Sequence, residues 1–228
     1  MEHMYSFELL DEMKNGKKEF DGIFLEFAEL NDKDFSGLVI RNSKINYAQF
    51  RFSNLNGAKF INCEMFFVSF FGSNLENTVF EKCKIDMARF DTANAKNTRM
   101  QNCALSYCLI FNIVGEIDFH GTSEFKTIRN LQTFTEEDII NALKIVGNRI
   151  EDLPLEIRSE LNRRISSVLI EFERDQKLTQ TASKSNAYEP KPDNARVIDL
   201  YKAMSKIGED IIKYGNSEVY KNRKPYGK

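Results

Sequence analysis

From position 20 to position 110, every fifth residue of this chain is apolar. The series runs Phe20, Leu25, Leu30, Phe35, Ile40, Ile45, Phe50, Leu55, Phe60, Met65, Phe70, Leu75, Phe80, Ile85, Phe90, Ala95, Met100, Leu105 and Ile110, and only Ala95 is small. A second series lies two residues earlier, from Ala28 to Cys108, and is mostly Ala, Ser, Thr and Cys. Helices repeat at 3.6 residues and strands at 2, so neither produces a strict period of five. A coil with one large and one small inward residue per repeat does produce it, with the other three positions facing solvent. The bias towards Phe (19 residues, against no Trp) fits such an interior.

The clearest copies are Ser53-Asn54-Leu55-Asn56-Gly57, Ala58-Lys59-Phe60, Ser73-Asn74-Leu75-Glu76-Asn77 and Ala88-Arg89-Phe90. On these units the sequence resembles the pentapeptide-repeat family, whose unit is A(D/N)LXX, over about residues 20 to 121. The resemblance implies a right-handed quadrilateral parallel β-helix, with one repeat per side and four per coil. Positions 20 apart should then stack at strand spacing, roughly 4.8 Å. Leu30, Phe50, Phe70, Phe90 and Ile110 form one expected interior stack, and Ile40, Phe60, Phe80 and Met100 another. Cys63, Cys83 and Cys103 continue a column begun by Ser43. Outside, Asp34, Asn54, Asn74 and Asn94 should form an amide ladder, as should Asn42, Asn62 and Asn102, interrupted by Lys82.

The register fails near Gly115, where Ile117-Asp118-Phe119-His120-Gly121 resembles one more repeat displaced by a residue. Coil ends expose backbone and core and need caps. Residues 1–19 are therefore read as an N-terminal cap, with a short helix carrying Phe7, Leu9, Leu10 and Met13. After Gly121 helical spacing takes over, giving a β solenoid followed by a C-terminal α-helical region over 122–228. Thr135 and the acidic residues after it open one helix, with Ile139, Leu143, Val146 and Ile150 on its apolar face. A second follows Pro154 with Ile157, Leu161, Ile165, Val168 and Phe172 on one face. A third runs from about Arg196 to Tyr214 with Val197, Tyr201, Met204 and Ile211. Residues 179–194 read as a flexible linker and the tail from about 215 as disordered.

Amphipathic helices must bury their stripes. The coil offers one surface for this, since Phe27, Tyr47, Phe67, Met87 and Tyr107 lie 20 apart at an outward position. Phe52, Phe66, Phe71, Leu109 and Phe111 fall beside that column. A contiguous apolar patch of this extent marks an interface. The expected occupant is the chain's own helices, a second copy or another protein.

The remaining composition excludes more than it suggests. The net charge of -2, from 34 acidic and 32 basic residues, gives no reason to expect direct nucleic-acid binding or an anionic membrane surface. No apolar run approaches the roughly 18 residues of a membrane span, and Met1 to Leu10 lacks signal-peptide character, so a cytoplasmic location is expected. The cysteines sit at the repeat's small position, so a core role is expected rather than a metal site or disulfides. His3 and His120 are the two histidines, and no nucleophile motif accompanies either. Gly37, Gly57 and Gly72 are scattered at turns and form no phosphate loop. No enzyme, cofactor or metal is expected.

The family resemblance implies one alternative, mimicry of DNA to regulate or protect gyrase or another DNA-handling enzyme. Such a surface must be densely negative, whereas residues 20–121 carry 12 acidic and 10 basic side chains, interspersed. The preferred expectation is a non-catalytic protein-interaction or scaffold module.

Overall fold

The computed structural model describes residues 1–125, 127 and 136–149, with single helical positions from 155 to 213. The chain divides into two units, residues 1–130 with 212–228, and residues 131–211. In chain order the first unit contains β1 (Glu2–Met4), α1 (Ser6–Lys14), β2 (Glu19–Asp21), β3 (Ile23–Glu26), β4 (Val39–Arg41), β5 (Lys44–Asn46), β6 (Lys59–Ile61), β7 (Glu64–Phe66), β8 (Val79–Glu81), β9 (Lys84–Asp86), β10 (Thr98–Gln101), β11 (Ala104–Ser106), β12 (Ile117–Asp118) and β13 (Ser123–Phe125).

Every strand pair is parallel. The odd-numbered strands form one seven-stranded sheet in the order β1 to β13, and the even-numbered strands form a six-stranded sheet from β2 to β12. Phe20 pairs with Ile40, Ile40 with Phe60 and Phe60 with Phe80, a step of 20 residues each time. The other two sides are held by single bridges, Glu29–Gln49–Ser69–Arg89–Leu109 and Asp34–Asn54–Asn74–Asn94–Val114. The result is a four-sided parallel β-solenoid whose coil is the 20-residue period of the sequence.

The interior explains why the large positions favour Phe. Phe50, Phe70 and Phe90 stack face to face at 5.4 and 5.1 Å on one side, and Phe60 and Phe80 at 5.1 Å on the opposite side. The two stacks meet edge-on, Phe70 lying 5.9 Å from Phe60 and 5.6 Å from Phe80. Each ring thus satisfies both preferred aromatic geometries at once, beyond the apolar area that it buries.

The small position has a second task. Ser53 Oγ, Thr78 Oγ1 and Thr98 Oγ1 donate to the carbonyls of Leu30, Leu55 and Leu75, 23 residues earlier, at 2.7–2.8 Å. Cys63, Cys83, Cys103 and Cys108 aim their thiols at the equivalent carbonyls of Ile40, Phe60, Phe80 and Ile85 at 3.3–3.5 Å. A small residue with a donor therefore both fits the interior and satisfies a carbonyl there. Lys33 departs from the series and is exposed.

The corners are the strained part. Every fifth residue from Gly22 to Asn112 has a positive φ. Each corner is held by its own N–H, as where Asn62 donates to Glu81 and Lys82 to Gln101 at 2.8–2.9 Å. Left-handed backbone suits Gly and Asn and costs other residues roughly 1–2 kcal/mol. One corner reads Gly22, Asn42, Asn62, Lys82, Asn102, so Lys82 is the odd member, exposed and with φ 53°. Its ion pair to Glu81 at 3.4 Å is exposed and contributes little. Lys82→Asn is expected to raise stability by up to about 1 kcal/mol in urea denaturation. It would also extend the amide bond that joins Asn62 Nδ2 to Asn42 Oδ1 at 2.8 Å.

The last coil is one residue short. Asn94 still bridges to Val114, 20 residues on, but Thr98 pairs with Ile117 and Ala104 with Ser123, 19 residues on. The loss falls at Gly115, whose φ is +88° and where a Cβ would lie 2.9 Å from the Lys96 backbone. Only glycine closes that corner. The coil also extends past Gly121 into β13.

At the other end α1 begins with a capping box, Glu8 Oε2 accepting the Tyr5 N–H at 2.8 Å. Leu9 is fully buried in the core, and Leu10 and Met13 pack against it. In the second unit α2 spans Glu136–Arg149, and Leu143, Ile165 and Ile207 are buried. Thr135, the linker 179–194, the tail from 215 and most named positions of the second and third helices lie outside the described residues.

Candidate interaction face

The aromatic column occupies a corner. Phe27, Tyr47, Phe67, Met87 and Tyr107 have φ between 50° and 57°, and all five sit where the seven-stranded sheet turns into the third side. The N–H groups of Tyr47, Phe67 and Met87 donate to Phe66, Asp86 and Ser106 of the next coil at 2.8–3.0 Å. Elsewhere the corners are mostly Gly, Asn or Asp, with Phe52, Lys82 and Thr92 as exceptions. The aromatic corner contains no Gly, Asn or Asp at all.

These side chains do not face water as the repeat pattern implied. Phe27 is 2% exposed, Tyr47 3%, Met87 5% and Tyr107 7%, and the adjoining Phe66 is 2% exposed. Phe67, Phe71 and Phe111 are half-buried, and Phe52 is exposed. The structure brings several of them together: Phe27 stacks on Tyr47 at 5.0 Å, and Tyr47 meets Phe66 edge-on at 5.3 Å and Phe67 at 6.2 Å. Phe52 stands one corner further on and meets Phe71 edge-on at 5.4 Å.

The third side, which continues from this corner, is buried beyond what its polar sequence suggests. Gln49, Ser69, Leu109 and Asp91 are all buried at outward positions. Arg89 binds Asp91 through two bonds, Nε to Oδ1 at 3.1 Å and Nη2 to Oδ2 at 2.9 Å. Its guanidinium lies 5.0 Å from the Phe71 ring centre, and that of Arg51 lies 5.3 Å from it. Two guanidiniums on one ring, one of them neutralised by a buried carboxylate, make a polar complement beside the aromatic corner. The sequence signal for the ion pair was opposite charge flanking Phe90 within one repeat.

The other faces carry ladders of side-chain hydrogen bonds. Asn54, Asn74 and Asn94 donate in turn to Asp34, Asn54 and Asn74 at 2.9–3.0 Å. The Ser36 backbone N–H and hydroxyl hold the Asp34 carboxyl below the usual range. A further ladder, unread in the sequence, links Asn56, Asn77 and Asn97 at 3.2–3.3 Å. Charge alternates along one column of the seven-stranded sheet, where Lys44, Glu64 and Lys84 are register partners and Lys44 pairs with Glu64 at 3.3 Å, so like charges are kept apart there.

The thiols are buried, and burial pushes Cys108 up to about 12. Hydrogen bonding to the neighbouring thiols Cys103 and Cys63 and burial push Cys83 up as well. Among the described residues no group of three His, Cys, Asp or Glu side chains could hold a metal ion. His120 is exposed, its backbone N–H bonded to Asp118 Oδ1 at 3.1 Å. No described helix is long and apolar enough to cross a membrane.

One five-residue repeat per side, four sides per coil and a large–small interior define a pentapeptide-repeat β-helix, and this chain has that architecture. No family model and no curated protein matches the sequence. Among solved structures it is similar to a trypsin-treated variant of QnrB1, a plasmid-mediated fluoroquinolone resistance protein, at 23% identity over 46% of this chain and 49% of that one, TM-score 0.37. It is also similar to Rfr23, a pentapeptide repeat protein from the cyanobacterium Cyanothece 51142, at 16% identity over 53% of this chain and 97% of that one, TM-score 0.41. A third is the pentapeptide repeat protein AT2G44920 from the Arabidopsis thaliana thylakoid lumen, at 21% identity over 51% of this chain and 75% of that one, TM-score 0.22. The chain spans about half the length of the QnrB1 structure that it matches.

Proposed function

We propose that this protein is a non-catalytic interaction module. The coil is a rigid scaffold, its aromatic corner is the docking face, and the C-terminal helices serve self-association or partner docking. One observation carries the reading. Five bulky side chains occupy left-handed positions where Gly or Asn would cost less, and they line up in one column of apolar and aromatic surface. Aromatic anchors beside an Arg–Asp pair have the composition of an interface centre. The interspersed charges of the coil, 12 acidic and 10 basic over residues 20–121, favour this reading over a stand-in for a uniformly negative duplex.

Phe67 is the half-buried member of the column, so Phe67→Asp perturbs the docking face while sparing the interior. The variant is expected to keep the coil's far-UV circular dichroism. It is expected to change either the mass measured by light scattering on size-exclusion chromatography or the protease resistance of the segment after residue 130. Unchanged mass together with unchanged protease resistance would remove the proposal.

A further inference from the structure

Strand β1 lies outside the five-residue repeat, yet it completes the seven-stranded sheet. Glu2, His3 and Met4 pair in parallel with Ile23, Phe24 and Leu25, and the Glu2 N–H donates to the Gly22 carbonyl at 3.0 Å. The centre of this short strand is a titratable ring. His3 lies 4.6 Å from Tyr5 and meets Phe24 edge-on at 5.5 Å. Its Nδ1 is buried and has no hydrogen-bond partner. Tyr5 in turn stacks on Phe7 at 5.7 Å, so the ring is walled mainly by aromatic carbon.

We propose that β1 is an acid-released strap, held while His3 is neutral and unpaired from β3 when that ring takes up a proton. A protonated imidazole needs acceptors for both N–H groups. The buried Nδ1 has none, and placing an unpaired charged donor among aromatic rings is costly. Release would uncover the edge of β3 and loosen Met4, which is buried in the core. An unpaired edge is a place where another strand can add.

The charged groups around the ring do not reverse this. Glu2, adjacent on β1, points to the opposite face of the strand. On α1, Glu8 favours the protonated ring, but its carboxylate is already engaged by the Tyr5 N–H at 2.8 Å. Glu26 lies two residues beyond Phe24 on β3. On β5, Lys44, the register partner of Phe24, is paired with Glu64 at 3.3 Å. Burial outweighs Glu8, so the His3 pKa is lowered. The strap's contribution to stability is full above the ordinary histidine value of about 6.5 and is lost as pH falls from there through the lowered folded value.

Hydrogen exchange of the full chain at pH 7.5 and 5.0, corrected for the intrinsic rate, tests the proposal. The amides of residues 2–9 and 23–25 are expected to lose protection at pH 5.0 in the wild type and to keep it in His3→Phe. Protection retained by the wild type, or lost equally by His3→Phe, overturns the proposal. Should His3→Phe fail to fold, NMR titration of the wild-type His3 ring decides: a midpoint below about 6.5 supports it, and one at or above that value overturns it.

Discussion

Phe70→Ala is expected to destabilise the coil by about 3–5 kcal/mol in urea denaturation followed by circular dichroism. Phe70 is fully buried at the middle of the interior, stacked between Phe50 and Phe90 and edge-on to Phe60 and Phe80. Removing it deletes the apolar burial of one ring and four aromatic contacts. The cavity cannot collapse easily, because strand spacing along the coil is fixed by backbone hydrogen bonds on every side. That rigidity places the cost towards the upper end of the range for such truncations. Since both neighbours in its stack lose a face, the damage should spread to the adjacent coils.

Tyr47→Asn is the second large effect and the more informative one. At φ 55° asparagine is the better backbone residue, so the substitution relieves up to about 1 kcal/mol of local strain. Yet Tyr47 is 3% exposed and meets Phe27, Phe66 and Phe67. Losing a buried aromatic side chain costs about 3–5 kcal/mol. The net expectation is destabilisation by about 2 kcal/mol or more, against the local preference of the backbone.

Much of the coil was legible because its signal repeats. The step of five set the sides, the step of 20 set the stacks, and the structure bears out both in Phe50–Phe70–Phe90 and in the Asp34–Asn54–Asn74–Asn94 ladder. The displaced last repeat at Ile117 was legible for the same reason, since a one-residue slip stands out against a strict period. What repeats only once was not. Strand β1 has three residues and no period, and β13 follows the slip.

The aromatic column was half legible. Spacing placed Phe27, Tyr47, Phe67, Met87 and Tyr107 in one column, but nothing in their identity revealed the left-handed backbone beneath them. Sequence patterning assigns outward positions to solvent, so Gln49, Ser69 and Asp91 read as ordinary surface although they are buried. A local period carries no information about the burial of an outer face. The Arg89–Asp91 pair shows how polar residues can serve a covered surface by satisfying one another.

The aromatic corner accepts backbone strain in exchange for contact, and one paired measurement tests this. Lys82→Asn and Tyr47→Asn make the same change at corners of nearly the same backbone geometry, φ 53° and 55°. Urea denaturation of the two full-length variants beside the wild type is expected to give opposite signs, Lys82→Asn more stable and Tyr47→Asn less stable. If both variants are stabilised, the aromatic corner contributes no contact that outweighs its strain, and the account of it as a docking face is contradicted.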